Sequence, residues 1–307
     1  MIKIHLANDS KQQKIGGGWT FIENLRESMK LLKADVSFTD YAESDIYFVS
    51  GASMVTRDSI KLAKKDGKKI VLRVDNIPRN SRNRNTGTTR MYDFAQLADH
   101  VIFQSEWAKQ KVMPLLDSYN LDISNEHNNY MYGVDSVKKF FCECNSSIIM
   151  NGVNTHIFKP DGDKLDSVHK KRYLIVRYNR DNNKRLEEAL DIYSEKWLLD
   201  TDIELYLVGQ YGEELVKGYF DFYMGERFTM HGVVTDRRQL ASLYRSCDTL
   251  IYPSYSDACP NTVMEARACG LDILHNGHGG IPEVMAEKDI TLERMGKEYL
   301  NIFKKLL

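Results

Sequence analysis

At 307 residues, with 42% hydrophobic and 28% charged side chains, the chain is long enough to bury two cores of roughly 150 residues each. A formal net charge of −1 gives no whole-chain attraction for a polyanion, and no run of about eighteen apolar residues is present to cross a bilayer. The five cysteines are an odd number, no zinc-ligand spacing completes them, and Met1–Ala7 reads as a strand rather than a leader; a reducing, cytoplasmic setting is expected.

Apolar runs of strand length recur at Ile2–Ala7, Ile46–Val49, Ile70–Val74, Val101–Gln104 and Ile148–Met150. Between them lie stretches of helical period, such as Trp19–Leu32 and Ser59–Lys65. Asn151-Gly152-Val153-Asn154 and the turn-rich Lys159–Asp163 interrupt the pattern. It restarts with Tyr173–Val176, Leu186–Tyr193, Glu204–Val208, Thr229–Val234, Leu240–Leu243, Leu250–Tyr252 and Ile273-Leu274, and the chain closes on an amphipathic helix. The alternation predicts an α/β fold with parallel sheets and crossover helices, in two units joined near residues 155–168.

In such sheets ligands sit beyond the carboxyl ends of the strands, so the loops there carry the functional reading. After the first strand come Gly16, Gly17 and Gly18, leading into a helix at Trp19. They allow close approach of backbone to a ligand, and a flexible loop explains them equally well. After Val74, the segment Asp75–Arg90 holds four arginines and three asparagines beyond Pro78: a clamp for phosphate or an anionic acceptor, or a surface loop. Arg177, Arg180, Lys184 and Arg185 precede a helix start, where cations oppose the helix dipole and need an anion such as a diphosphate between them; a solvated basic turn is the other reading. His275 and His278 lack partners at metal-ligand spacing and read as solvent-side residues.

The stretch Ser254–Gly270 is the most informative. Asp257 and Glu265 bracket seven residues, and Pro260 suits a first helical turn. The free amides of Asn261 and Thr262 would form a seat for phosphate between two carboxylates. An ordinary strand–loop–helix unit with two solvent-facing acids accounts for the spacing equally well.

Asn151-Gly152-Val153-Asn154 with Phe158 and Pro160, Phe228–Gly232, Leu243–Asp248, Tyr252–Ser254, Glu265–Gly270 and Gly279–Glu283, in this order, resemble the retaining nucleotide-sugar glycosyltransferases of family 4. That resemblance implies the GT-B architecture, two Rossmann-like domains with parallel sheets facing a central cleft. Residues 1–155 would form the acceptor-side domain and 156–292 the donor domain. The helix at 293–307 would pack back across the junction.

In that family two carboxylates seven residues apart line the donor site. Glu265 matches the second, which holds the ribose hydroxyls. Asp257 stands where the first is usually glutamate, drawing its carboxylate back by about 1.5 Å, and would act on the sugar. Ala258 and Cys259 would present amides to the sugar, Asn261 and Thr262 to the phosphate. Gly17 and Gly18 would approach the donor phosphates. Arg180, with either Lys184 or Arg185, would hold the diphosphate. Asp75 falls where many members carry a histidine beside the reacting sugar.

The resemblance implies transfer of a sugar from a nucleoside diphosphate donor to an acceptor hydroxyl with retention, without cofactor or metal. The acceptor, whether glycan, lipid-linked or protein, is not named by any residue. Two other readings are a sugar-nucleotide-binding protein altered at Asp257 and Asp75, and a nucleic-acid partner at the Arg79–Arg90 loop. The net charge and the lack of interleaved aromatics disfavour the latter.

Overall fold

The computed structural model describes residues 1–9, 17–75, 91, 93–118, 145–177, 184–211, 218 and 228–307. Gly16, the Arg79–Arg90 loop, Arg180, Cys142 and Cys144 lie outside the described residues. The chain divides into two compact units, Met1–Gly152 with Leu292–Leu307, and Val153–Thr291.

In the first unit the strands are β1 (Ile2–Ala7), β2 (Val36–Phe38), β3 (Ile46–Val49), β4 (Lys69–Arg73), β5 (His100–Phe103) and β6 (Ser146–Ile148). They form one parallel sheet in the order β2-β1-β3-β4-β5-β6. β3 and β5 are buried at every position, as the apolar runs Ile46–Val49 and Val101–Phe103 require when helices cover both faces. The connecting helices α1 (Gly17–Leu31), α2 (Arg57–Lys65) and α3 (Glu106–Ser118) follow β1, β3 and β5 in the chain. On α1, Phe21, Ile22, Leu25 and Met29 make the 3.6-residue stripe that packs into the core with Ile4, Ile46 and Phe48. β6 ends at Ile148, two residues before the expected Met150. Beyond it, the Met150 carbonyl accepts from Arg294 at 3.0 Å.

The second unit holds β7 (Lys171–Arg177), β8 (Ile203–Gly209), β9 (Phe228–Gly232), β10 (Thr249–Tyr252) and β11 (Asp272–His275). These too are all parallel, in the order β11-β10-β7-β8-β9. Its helices are α4 (Leu186–Leu199), α5 (Arg237–Arg245), α6 (Asn261–Ala268) and α7 (Ile281–Ala286). From β7 the chain builds outward to β8 and β9 on one side, then returns to lay β10 and β11 on the other. The order therefore reverses between β7 and β10. Such a reversal sends the two following loops to opposite sides of the sheet and opens a crevice at their carboxyl ends.

The chain then returns to the first unit with α8 (Leu292–Leu306), whose Met295, Tyr299 and Phe303 complete the core around Phe21 and Phe48. A Cβ on Gly296 would stand 2.8 Å from the Ser28 side chain, so α8 and α1 pack at a distance that a larger residue would disrupt. A buried polar cluster ties the strand ends of this unit together. Arg73, 3% exposed, donates to the Ser50 carbonyl, Gln104 and Asn151 at 3.0, 2.6 and 3.1 Å, with its guanidinium 3.9 Å from the Phe21 ring centre. Asn24 donates to the Gly152 carbonyl at 2.9 Å.

Three helices end on the same paired bonds, from the residue after the cap and from the next one. Gly67 and Lys68 close α2, Gly270 and Leu271 close α6, and Lys33 and Ala34 close α1. The left-handed position is glycine in the first two and Lys33, at φ 47°, in the third. Lys33→Gly should raise stability by about 1 kcal/mol, the typical cost of a side chain in that region. Denaturant midpoints at unchanged slope check it; an unchanged or lower midpoint contradicts it.

Candidate active site

The reversal in the second sheet explains which residues meet. The segment after β7 delivers Lys184, and the segment after β10 delivers Asp257. Lys184 Nζ lies 2.7 Å from Asp257 Oδ2. The same ammonium donates to the Tyr252 hydroxyl at 2.6 Å, and that hydroxyl donates to Asp257 Oδ2 at 2.7 Å. Three polar groups 73 and 5 positions apart along the chain thus close a triangle at the carboxyl end of β10.

The backbone of Asp257 is held from the other side. Its carbonyl accepts from the Gly280 amide at 2.8 Å, and a Cβ on Gly279, whose φ is +70°, would stand 2.7 Å from that oxygen. The glycine pair in His275–Glu283 therefore brings that loop against Asp257. Asn276 fastens the same loop by donating to the Pro253 carbonyl at 2.7 Å.

Lys184 and Arg185, alternatives by sequence, point to different partners. Arg185 caps α4 in the left-handed region at φ 48°, pairs with Glu188, and lies 4.5 Å over the Tyr255 ring. Tyr255 in turn stacks on His278, with ring centres 4.6 Å apart. His278 is thus part of an aromatic stack, which its sequence position alone could not indicate.

α6 begins at Asn261, with Pro260 as its cap rather than inside its first turn. The Pro260 carbonyl accepts from Val263 and Met264 at 3.1 and 3.2 Å. Proline's fixed φ and missing N–H suit a cap that contributes only its carbonyl. Asn261 and Thr262, the first two helical residues, have no carbonyl one turn back within the helix. Ala258 and Cys259, in the same loop, are buried, Cys259 against Met264.

Glu265 is 6% exposed, which is incompatible with a solvent-facing acid. Tyr244 donates to Oε2 at 3.2 Å, and an Arg237 nitrogen lies 3.7 Å from Oε1. Burial pushes its pKa up to about 7, although Arg237 and Tyr244 both pull it down. Phe158 backs both partners: its ring meets Tyr244 at 5.9 Å, and the Arg237 guanidinium sits 5.1 Å over it. In the Asn151–Pro160 segment, Asn151 accepts from Arg73 within the first unit, and Phe158 packs against Tyr244 and Arg237 within the second.

Sequence reasoning missed Tyr252, Tyr244 and Arg237. Tyr252 and Tyr244 fall in apolar runs where a tyrosine reads as core. Arg237, one residue after the α5 cap Asp236, reads as a solvated helix start.

The remaining expected residues belong to the first unit. Gly17 and Gly18 are the first residues of α1 rather than a loop before it; glycine is tolerated there because those amides bond to no carbonyl within the helix. A Cβ on Gly18 would touch Met54 at 3.5 Å, and the Asp75 carboxylate covers Gly51 so closely that a Cβ there would lie 2.2 Å from Oδ2. Gly18, Gly51 and Asp75 thus gather at the carboxyl edge of that sheet, after β1, β3 and β4.

Residues 171–298 match the family Glycosyl transferases group 1. Over 51 residues, 17% of this chain, the sequence is 37% identical to D-inositol 3-phosphate glycosyltransferase of Mycolicibacterium smegmatis; the match spans 12% of that relative. Sucrose-phosphate synthase from Thermosynechococcus elongatus superposes with a TM-score of 0.65 at 14% identity, covering 100% of this chain and 96% of that one. A glycosyltransferase from Rickettsia africae gives 0.54 at 14% identity, covering 99% and 88%. At these identities the structural likeness speaks for the fold, and the family match speaks for the second unit. Two parallel sheets with this strand order, superposing on those structures over nearly their whole length, make this a chain of the GT-B fold whose residues 171–298 match the glycosyl transferases group 1 family.

Proposed function

We propose that the chain moves a sugar from a nucleoside diphosphate sugar to an acceptor hydroxyl, with retained anomeric configuration and without a metal. The observation that carries this reading is the Lys184–Asp257 pair, 2.7 Å apart at the strand-order reversal and beside the start of α6. A cation and helix amides converge there on a position suited to a diphosphate, with a carboxylate at hand for the sugar.

In this reading the bond between the anomeric carbon and the β-phosphate oxygen breaks, and its electron pair stays on the phosphate. Lys184, Arg180 and the amides of Asn261 and Thr262 stabilise the growing charge. The departing phosphate accepts the proton of the attacking hydroxyl on the same face, which retains configuration. Glu265 accepts the ribose hydroxyls, and Asp257 and the Ala258 and Cys259 amides hold the sugar. Arg185, turned to Glu188 and Tyr255, is left to shape the rim of the site. A reducing, cytoplasmic setting suits the described cysteines Cys247, Cys259 and Cys269, all free and buried.

Melting curves with a panel of UDP-, GDP- and ADP-sugars, followed by release of the free nucleotide, test the proposal. A matching donor at about 100 times its Kd should stabilise the fold by about 2.7 kcal/mol. A shift with no nucleotide release under any acceptor would favour a binding protein. Absence of any shift across the panel would overturn the donor site.

A further inference from the structure

We infer that Arg237 is a positioning residue for Glu265, an inference that rests on the proposed donor site. Its charge keeps the buried carboxylate ionised, as an acceptor for ribose hydroxyls, without occupying a lone pair. Arg237 Nη2 stands 3.7 Å from Glu265 Oε1, too far for a hydrogen bond and close enough for a Coulombic pull. Its Nε and Nη2 are buried and have no hydrogen-bond partner among the described residues. The guanidinium is steadied instead by the buried Phe158 ring, 5.1 Å from its centre. This placement is costly in two ways. Arg237 is the first residue of α5, one place after the cap Asp236, so its charge opposes the helix dipole. Buried donors left unpaired add to that cost. A purely structural position would be better filled by a neutral side chain, whereas a charge needed beside a buried carboxylate accounts for both.

The groups around Glu265 show why the charge is needed. From α5 it faces Arg237 and the Tyr244 hydroxyl, which donates to Oε2 at 3.2 Å. On its own helix it faces Cys269, whose thiol burial pushes up to about 12, so that it stays neutral. β10, β11 and α7 also pack on α6, and among the described residues they bring no charged or titratable group to it. Arg237 is therefore the one full positive charge that opposes the effect of burial. Without it the carboxyl would keep its proton to higher pH. A protonated acid would present a donor where a ribose hydroxyl needs an acceptor, and the charge that strengthens such a bond would be lost.

Arg237→Gln removes the charge and keeps a polar side chain, whereas Arg237→Lys keeps a charge. With the donor of the panel that gives the largest melting shift, the pH at which affinity falls to half should rise by about one unit in Arg237→Gln. Binding is then about threefold weaker at pH 7.5 and nearly unchanged at pH 9.5. Arg237→Lys should stay within about half a unit of wild type. A merely structural arginine would instead weaken binding equally at every pH. The same shift can be read without donor, from denaturant midpoints of each protein against its Glu265→Gln counterpart. A group whose folded pKa is raised loses its contribution as pH rises through that value, so the decline should end about one unit higher in Arg237→Gln than in wild type. An unmoved decline, or an Arg237→Lys shift as large as that of Arg237→Gln, overturns the inference. If the decline moves while Glu265→Gln binds donor as wild type does, the fault lies with the donor site and not with the hold of Arg237 on Glu265.

Discussion

Lys184→Ala should lower turnover of the donor by about 100- to 1000-fold, the effect seen when one preorganised donor to a developing anion is removed. The argument rests on where the charge appears. In the free protein the ammonium is balanced by Asp257 at 2.7 Å, so its field is largely cancelled. In the proposed transfer, the leaving diphosphate would become the stronger anion as the glycosidic bond breaks, and the ammonium would turn to it. The stabilisation is therefore greater in the transition state than in the resting site, the condition for an effect on kcat rather than on binding alone. Lys184→Arg should recover only part of the rate, since its longer, planar guanidinium does not place charge where the compact ammonium sits between Tyr252 and Asp257. The fold should hardly notice: the pair is partly exposed, and such pairs contribute about 1 kcal/mol or less. Single-turnover rates with saturating donor decide the matter, and an Ala variant within threefold of wild type would remove Lys184 from the site.

Glu265→Gln should separate function from stability. The folded carboxyl, at about 7, binds its proton more tightly than the unfolded one at 4.5. Its contribution is therefore most favourable below pH 4.5 and is lost as pH rises through about 7, where the buried group must ionise. A shift of that size corresponds to roughly 3 kcal/mol across the window. Glutamine has no proton to lose there, so the variant should lack this part of the decline between pH 5 and 8. Denaturant midpoints of both proteins at the two pH values check it; parallel declines contradict it.

Donor affinity should change in the opposite sense. In the wild type it should weaken as pH falls below about 7, because a carboxylate accepts the ribose hydroxyls and a protonated acid does so less well. The variant should bind donor weakly at every pH. An ionisable group held at a stability cost in the core is what a binding role would require, since a purely structural position is better filled by a neutral side chain.

Much of the fold was legible because each element carries its own pattern. Ile46–Val49 coincides with β3, and its four apolar residues have only one satisfactory environment, between two helical layers. β2 was not legible: Val36-Ser37-Phe38 is too short to show a period, and it is a strand only because β1 offers it an edge. Glu265 shows the limit at the site. Its spacing from Asp257 drew attention to it, but a carboxylate on a helix reads as solvent-facing until its neighbours Tyr244 and Arg237 are known.

What the sequence by itself determined were the local facts. They include the alternation of strands and helices, and the acids and cations in the loops after β7 and β10. Periodicity and backbone preference are properties of a few adjacent residues, so they can be read from them. Only the tertiary structure decided which loops meet. The reversal of strand order between β7 and β10 sets Lys184 beside Asp257 across 73 positions of chain and gives Tyr252 a bond to each. No local pattern records it, because the pairing of parallel strands is settled by long-range hydrogen bonds and by the burial of both sheet faces together.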